Sequence, residues 1–290
     1  MPTDDYQPTD GYQLIDFGNG RKLESVAGHC IDRPSPAANS MRRQKPDVWR
    51  SATSRYDTVK KQWTHHQPWP ENLAVNCGNF RMPVRPTPHG HIGLFPEQAP
   101  NWHWLSEPPP SEIPNNEALN LFGYTGASTI ALVRSGFRVA HVDAAKPNVQ
   151  AVRIAANCNE MEDPPIRYLI DDAAKFAARE VRRGRQYHTI VLDPPAYGHA
   201  PSGRTWRLER DLWPLLDNCL RLLDPSSFRL LITGHSPEVD QSNIVHYLVQ
   251  TGFLGNRDHG LRLHSGRSQL IDSNGRPLDA GFFVQIARSR

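Results

Sequence analysis

Residues 118–126 read Ala118-Leu119-Asn120-Leu121-Phe122-Gly123-Tyr124-Thr125-Gly126. The first five residues are an apolar run of strand length, and the glycines that follow open onto a helical pattern at 126–135. A strand that ends in a glycine turn and feeds a helix begins a parallel sheet, because parallel strands need a crossover and a helix supplies it. The alternation then repeats. Strand patterns at 137–142, 166–170, 187–192 and 228–232 are separated by helical patterns at 147–158, 172–183 and 208–223, and one more helix is expected at 238–250. Five such strands make an α/β sheet with helices on both faces. The last two strand patterns, 260–264 and 281–286, are joined only by a turn-rich loop, so they are expected to pair antiparallel.

Upstream of residue 116 the chain changes character. Much of its proline (26 residues in all) lies there, which predicts a β-rich, irregular region with short strands and few long helices. Residues 12–17 alternate, Gly18-Asn19-Gly20 is a turn signal, and 21–24 reads as the return strand. A second hairpin is expected at about 79–95, with 79–85 and 91–95 as its arms. Pro108-Pro109-Pro110 and Pro114 read as a stiff linker. The expected division is therefore a β-rich region, 1–115, and an α/β domain, 116–290.

Composition narrows the classes. The 290 residues are 38% hydrophobic and 22% charged, which suits a globular chain with a sizeable core. No apolar run approaches the ~18 residues of a membrane span. The start, Met1-Pro2-Thr3-Asp4-Asp5-Tyr6, has neither the basic nor the apolar part of a secretory signal. Cys30, Cys77, Cys158 and Cys219 form no Cys-x-x-Cys pair, so neither a zinc ribbon nor a dithiol site is expected, and unpaired thiols point to the cytoplasm. His89 and His91 have ligand-like spacing without a third partner, and no metal is expected. A net charge of +3 permits a nucleic-acid partner without requiring one. Nothing in the sequence bears on oligomeric state.

In doubly wound sheets the ligand sits beyond the carboxyl ends of the strands. Four strand ends carry suitable chemistry. Gly123 and Gly126 let the backbone approach a ligand, although two glycines at a strand-to-helix turn are a weak signal alone. Asp143 ends the second strand and lies 20 positions after Gly123 (143 − 123), the spacing at which a carboxylate meets ribose hydroxyls. Its plainer role would be a helix cap. Asp171 and Asp172 end the third strand, one suited to an adenine amino group and the other to capping. Asp193-Pro194-Pro195-Ala196-Tyr197-Gly198 follows the fourth strand and is the sharpest signal in the chain. Prolines lack an N–H, so this corner offers acceptors, a carboxylate and a flat aromatic, a combination fitted to an amino group on a planar ring. Together the first three ends predict an adenosine-bearing ligand.

Asn120-Leu121-Phe122-Gly123-Tyr124-Thr125-Gly126, Asp143, Asp172-Ala173 and Asp193-Pro194-Pro195-Ala196-Tyr197 resemble class I S-adenosylmethionine-dependent methyltransferases, in particular those related to bacterial large-subunit rRNA methyltransferases. The resemblance covers about 79–290. It implies a Rossmann-like seven-stranded sheet with an antiparallel C-terminal pair, behind a smaller β-rich N-terminal domain. It also implies S-adenosylmethionine as cofactor, with Gly123, Tyr124, Thr125 and Gly126 lining its methionine end. Asp143 would bind ribose and Asp172 adenine, Gln98 would reach the cofactor, and Asp193, Pro194 and Tyr197 would face the substrate. Asn120 stands where many such enzymes carry an acidic residue, and Asp193 could serve in its place.

No cysteine lies in the segments after the fourth and fifth strands. Methylation at carbon 5 of a pyrimidine needs a covalent cysteine, so a nitrogen acceptor is expected. Arg204 and Arg207 follow the Asp-Pro-Pro segment and are candidates for RNA phosphate contacts. Lys175, Arg179, Arg182, Arg183 and Arg185 read more simply as a solvated helical face. Trp49, Trp63, Trp69, Trp102 and Trp104 are expected mainly in a thin core. The expected activity is methyl transfer to a base nitrogen of RNA, with ribosomal RNA as substrate. A protein or small-molecule acceptor, or a non-catalytic RNA-binding module, are the alternatives. A nicotinamide oxidoreductase is disfavoured by the glycine pattern.

Overall fold

The computed structural model describes residues 11–108, 116–199, 205–255 and 260–288. The chain divides into two units: Met1–His103 with Gln269–Ala280, and Trp104–Ser268 with Gly281–Arg290. From residue 109 onward, the expected proline linker lies outside the described residues.

The first unit holds a five-stranded sheet in the order β1-β2-β3-β4-β5, formed by β1 (Tyr12–Gly18), β2 (Arg21–Val26), β3 (His29–Pro34), β4 (Ser54–Asp57) and β5 (Gln62–His65). The expected hairpin at Gly18-Asn19-Gly20 is present, and all three turn residues have positive φ. Leu14, Leu23 and Ile31 fill the core, with Trp49 and Trp102 buried beside them in the same unit. Trp63 and Trp69 are half-buried, and their indole N–H groups donate to the Thr87 and Val84 carbonyls. Beneath the sheet Glu24 accepts from the Tyr12 hydroxyl (2.7 Å) and pairs with Arg33 and Lys22.

Next come β6 (Ala74–Asn76) and β7 (Arg81–Pro83), which pair antiparallel, then α1 (Ala99–Leu105). The expected partner of 79–85 was 91–95, and the ladder forms with β6 instead. Pro83, Pro86 and Pro88 have no N–H to give, so a ladder toward 91–95 would be incomplete. Two bonds still close that turn, Arg85 N–H to the Ile92 carbonyl and Thr87 N–H to the His91 carbonyl.

The second unit is the α/β sheet. Its elements are β8 (Glu117–Leu121), α2 (Ala127–Arg134), β9 (Arg138–Asp143), α3 (Lys146–Cys158), β10 (Ile166–Ile170), α4 (Ala173–Arg182) and β11 (Thr189–Leu192). They continue with β12 (Tyr197–His199), β13 (Thr205–Arg207), α5 (Leu208–Leu222), β14 (Phe228–Gly234), α6 (Gln241–Gln250), β15 (Leu261–Ile271) and β16 (Pro277–Arg288). The seven-stranded order is β10-β9-β8-β11-β14-β16-β15. β10 through β14 are parallel, and β16 runs antiparallel to β14. The order reverses between β8 and β11, which marks the switch point where such sheets bind ligands.

Every residue of β8 is buried, as a central parallel strand requires. Leu119 and Leu121 face one core with Phe176, Leu212, Leu216 and Ile244 from α4, α5 and α6. Ala118 faces the other, with Leu132 of α2, Phe137 and Val191. Two sequence features did not announce themselves. β12 and β13 form a small hairpin directly after the Asp-Pro-Pro corner. β15 and β16 are about twice the expected length, and their tips, with the turn between them, belong to the first unit.

Candidate active site

Parallel register gathers the chemistry on one edge. Leu121 stands opposite both Val142 and Leu192, Ile170 opposite Asp143, and Leu192 opposite Ile232. The 122–126 loop, Asp143, Asp171-Asp172, Asp193 and Thr233 therefore follow or end five adjacent strands at their carboxyl ends.

The loop is held by three successive residues of β9. A Cβ on Gly123 would stand 2.5 Å from Nδ1 of His141, so only glycine fits over that ring. Gly123 N–H donates to the Val142 carbonyl (3.0 Å), and Tyr124 N–H donates to Oδ2 of Asp143 (2.9 Å). Phe122 and Tyr124 are left-handed, with φ of 55° and 48°, an arrangement that non-glycine residues adopt only where the surroundings enforce it. Gly126 has φ +94° and packs its Cα against Val152 before α2 begins. Asp143 also accepts from Ala145 N–H (2.8 Å) and the Asn148 amide (3.0 Å) through Oδ1. It thus ties the loop to the start of α3 as well as ending β9.

Asn120 does not face the edge. It is buried and donates to Thr129 Oγ1 (2.9 Å), which in turn meets His141 Nδ1 (2.9 Å). An acidic residue's role at the cofactor is therefore not open to Asn120 in this arrangement.

Asp172 caps α4, its Oδ1 accepting from Lys175 N–H (2.9 Å). Asp171 pairs with Arg179 and accepts from Asp172 N–H (2.8 Å). Capping thus falls to the residue assigned to adenine, and one oxygen of Asp172 stays outside the cap bond. Gln98 ends a short 3-10 turn, accepts from the Asn101 amide (2.8 Å), and belongs to the first unit.

Beyond β11, Asp193 accepts from the Thr233 hydroxyl of β14 (2.7 Å). Pro194 is buried. The Pro195 carbonyl accepts from the Trp206 indole (2.8 Å) and the Ala196 carbonyl from Leu208 N–H (3.0 Å). Two of the corner's acceptors are thus used to fold it back as the β12–β13 hairpin. Trp206 also packs on Phe122, ring centres 4.9 Å apart, which joins the corner to the glycine loop. Tyr197 points outward and is 56% exposed. Arg207 lies opposite it in the hairpin with its side chain exposed, while Arg204 lies outside the described residues.

Other candidates disperse. Arg179, Arg183 and Arg185 pair with Asp171, Glu180 and Glu117, and Glu180 and Glu117 are buried carboxylates rather than part of a solvated face. A cleft of about 680 Å³ lined by Glu117, Arg138, Asp163, Arg167, Glu180 and Arg185 lies at the amino ends of β8, β9 and β10, away from the loop. Among the described residues no three His, Cys, Asp or Glu side chains gather as metal ligands, and no helix is long and apolar enough to cross a membrane. The sequence reading missed Thr129, His141, Trp206 and Thr233. A lone histidine within the apolar strand 137–142 was the one visible signal among them.

No protein-family model matches the chain. Among curated proteins, it is 27% identical over 197 residues to the ribosomal RNA large subunit methyltransferase K/L of Syntrophotalea carbinolica, covering 64% of this chain and 27% of that one. It is 27% identical over 86 residues to the ribosomal RNA large subunit methyltransferase I of Salmonella arizonae, covering 29% of this chain and 21% of that one. The chain thus spans about a quarter of the length of the curated relatives it matches. Among solved structures, the SAH complex of SMU.776 superposes with a TM-score of 0.74 at 15% identity, over 97% of this chain and 76% of that one, a likeness of fold. The SAM-dependent methyltransferase from Agrobacterium tumefaciens superposes with a TM-score of 0.86 over 97% of this chain and 91% of that one. With that protein 30% of residues are identical, which is kinship as well as shared fold, and the chain belongs to the S-adenosylmethionine-dependent methyltransferases.

Proposed function

We propose that the chain methylates a base nitrogen of RNA, with ribosomal RNA as the substrate class, and that no cysteine takes part. The carrying observation is the corner at the end of β11. It presents the Asp193 carboxylate and the exposed ring of Tyr197 beside the glycine loop, and it contains no cysteine. The names of the curated relatives support the choice of ribosomal RNA.

The residues present fit the cofactor. The His141 ring fills the place of a side chain at Gly123, so the loop there is bare backbone, and this backbone receives the cofactor's methionine end. Tyr124, Thr125 and Gly126 complete that contact, Asp143 receives the ribose hydroxyls, and the free oxygen of Asp172 receives the adenine amino group. Gln98 is proposed as a further contact. Bound S-adenosylmethionine supplies a methyl on a positive sulfur, ready for in-line displacement. The chain's own share is positioning. Asp193 and the Pro194 carbonyl accept hydrogen bonds from the target amino or ring N–H and aim the nitrogen lone pair. Tyr197 stacks on the base. Arg207, with Arg204, meets backbone phosphate.

Burial pushes the Cys77 and Cys219 thiols up to about 12, which leaves almost no thiolate at neutral pH. All four cysteines are unpaired, in keeping with a reducing cytoplasm. The test is nucleoside mass spectrometry of RNA from cells with and without the chain. A methyl on a base nitrogen is the expected product. Methyl on carbon 5 of a pyrimidine, or on a protein or metabolite instead of RNA, would overturn the proposal.

A further inference from the structure

Three polar side chains form a buried line beneath the glycine loop. Asn120 of β8 and His141 of β9 are opposite one another in the sheet, and Thr129 of α2 stands between them. All three are at most 2% exposed. The Asn120 amide nitrogen donates to Thr129 Oγ1, which leaves the Thr129 hydroxyl its own proton to give to His141 Nδ1. Burial pushes the histidine down to about 4, so the ring is neutral at physiological pH. A neutral ring that accepts at Nδ1 carries its proton on Nε2. Nε2 itself is buried and has no hydrogen-bond partner among the described residues.

Buried polar atoms without a partner are rare in native proteins, and each calls for a reason. The reason here lies overhead. The same ring fills the space of a Gly123 side chain, and Gly123 is flanked by the left-handed Phe122 and Tyr124. Backbone strain of this kind concentrates in segments that meet ligands. Val142 and Asp143 already have their bonds to the loop, through Gly123 and Tyr124, and His141 is the third residue in that row.

We propose that His141 is a positioning residue for the cofactor: its ring props the glycine loop, and its Nε2–H closes a hydrogen bond onto the loop backbone when the cofactor seats. The inference rests on the placement of the cofactor over residues 123–126. Asn120, by donating to Thr129, leaves the hydroxyl free to hold the ring in the tautomer with its proton on Nε2, which gives the asparagine at this position a function.

The test is calorimetric titration of the full chain with S-adenosylhomocysteine. His141→Leu keeps bulk and loses the donor; His141→Gln places an amide N–H close to where Nε2 stands. The leucine variant is expected to bind about 10-fold more weakly and the glutamine variant within about 3-fold of wild type, at matched thermal midpoints. Equal binding by the two variants overturns the proposal while wild-type binding leaves the cofactor reading intact. No binding by wild type overturns both. If the leucine variant does not fold, wild type labelled with ¹⁵N-histidine decides. The His141 Nε2 resonance is expected to shift on saturation, and an unmoved resonance overturns the proposal.

Discussion

The Thr233 hydroxyl donates to Oδ1 of Asp193 across 2.7 Å, linking the ends of two neighbouring strands. The bond fixes one carboxylate oxygen and so orients the other. Asp193→Ala is expected to abolish turnover with S-adenosylhomocysteine binding largely kept. Thr233→Val, nearly the same in shape, removes only the orienting bond. Bonds to charged groups are worth about 1.5–3 kcal/mol, so kcat should fall about 10- to 100-fold. Turnover assays paired with calorimetry check this; an unchanged kcat in the valine variant would count against it.

Asp143 is expected to matter twice. Asp143→Ala removes the acceptor for Tyr124, Ala145 and Asn148 as well as the proposed ribose contact. Affinity for S-adenosylhomocysteine should drop about 10- to 100-fold or more, at roughly 1.5–3 kcal/mol per charged bond lost. Calorimetric titration reads the loss directly.

Gly123→Ala should be far worse than an ordinary loop substitution. Its new methyl would meet the buried His141 ring, which is hemmed in by Thr129. Overpacking of this kind costs about 1–3 kcal/mol. Here the cost should appear mainly as lost cofactor binding, because the loop is the part that gives way. A variant that binds S-adenosylhomocysteine like wild type would refute the close approach.

Tyr197→Ala is expected to leave cofactor binding unchanged and to weaken RNA engagement by the ~1–3 kcal/mol typical of base stacking. The ring is 56% exposed and outside the core, so its loss leaves the fold in place. A filter-binding series with wild type and variant, at one salt concentration, separates the two.

In the first unit, pH should act through Glu24. Burial alone would raise its carboxyl, but Arg33, Lys22 and the bonds from Arg33 and Tyr12 outweigh burial and hold it down to about 2. A depressed carboxylate contributes stability above its unfolded value of about 4.5, and that contribution is lost as pH falls toward 2. Glu24→Gln should cost about 3–5 kcal/mol at pH 7, because Arg33 is left buried without its partner. It should also flatten the acid limb of a urea-unfolding series between pH 4.5 and 2, the window set by the two values.

The second unit was legible because β8, β9, β11 and β14 are buried almost throughout and read as plain apolar runs. β10 begins and ends where the pattern 166–170 does, and Asp240 caps α6 through Asn243 only three residues past the expected start. The first unit was harder. β4 and β5 are four residues each, and β5 is mostly exposed, so neither shows a clean alternation. At the site, strand ends could be read from spacing, because Asp143 and Asp193 sit where an apolar run stops. Thr233 and Thr129 could not, since their meaning lies in partners 40 and 12 residues away. Trp206 acts through a hairpin whose strands, three residues each, are too short to show a pattern.

The tip of the β15–β16 hairpin gives the first unit an order of manufacture. Asp16 is fully buried and bonded by Trp49 and by Arg276, whose guanidinium also pairs with Asp272 and lies over the Phe17 ring at 4.1 Å. A ribosome makes the aspartate and the arginine of this pair 260 residues apart. The N-terminal sheet must therefore wait, with a carboxylate lacking its counter-charge, until almost all of the catalytic sheet has emerged. Severing the chain near residue 104 would not release a finished small domain, only one still missing its last arginine.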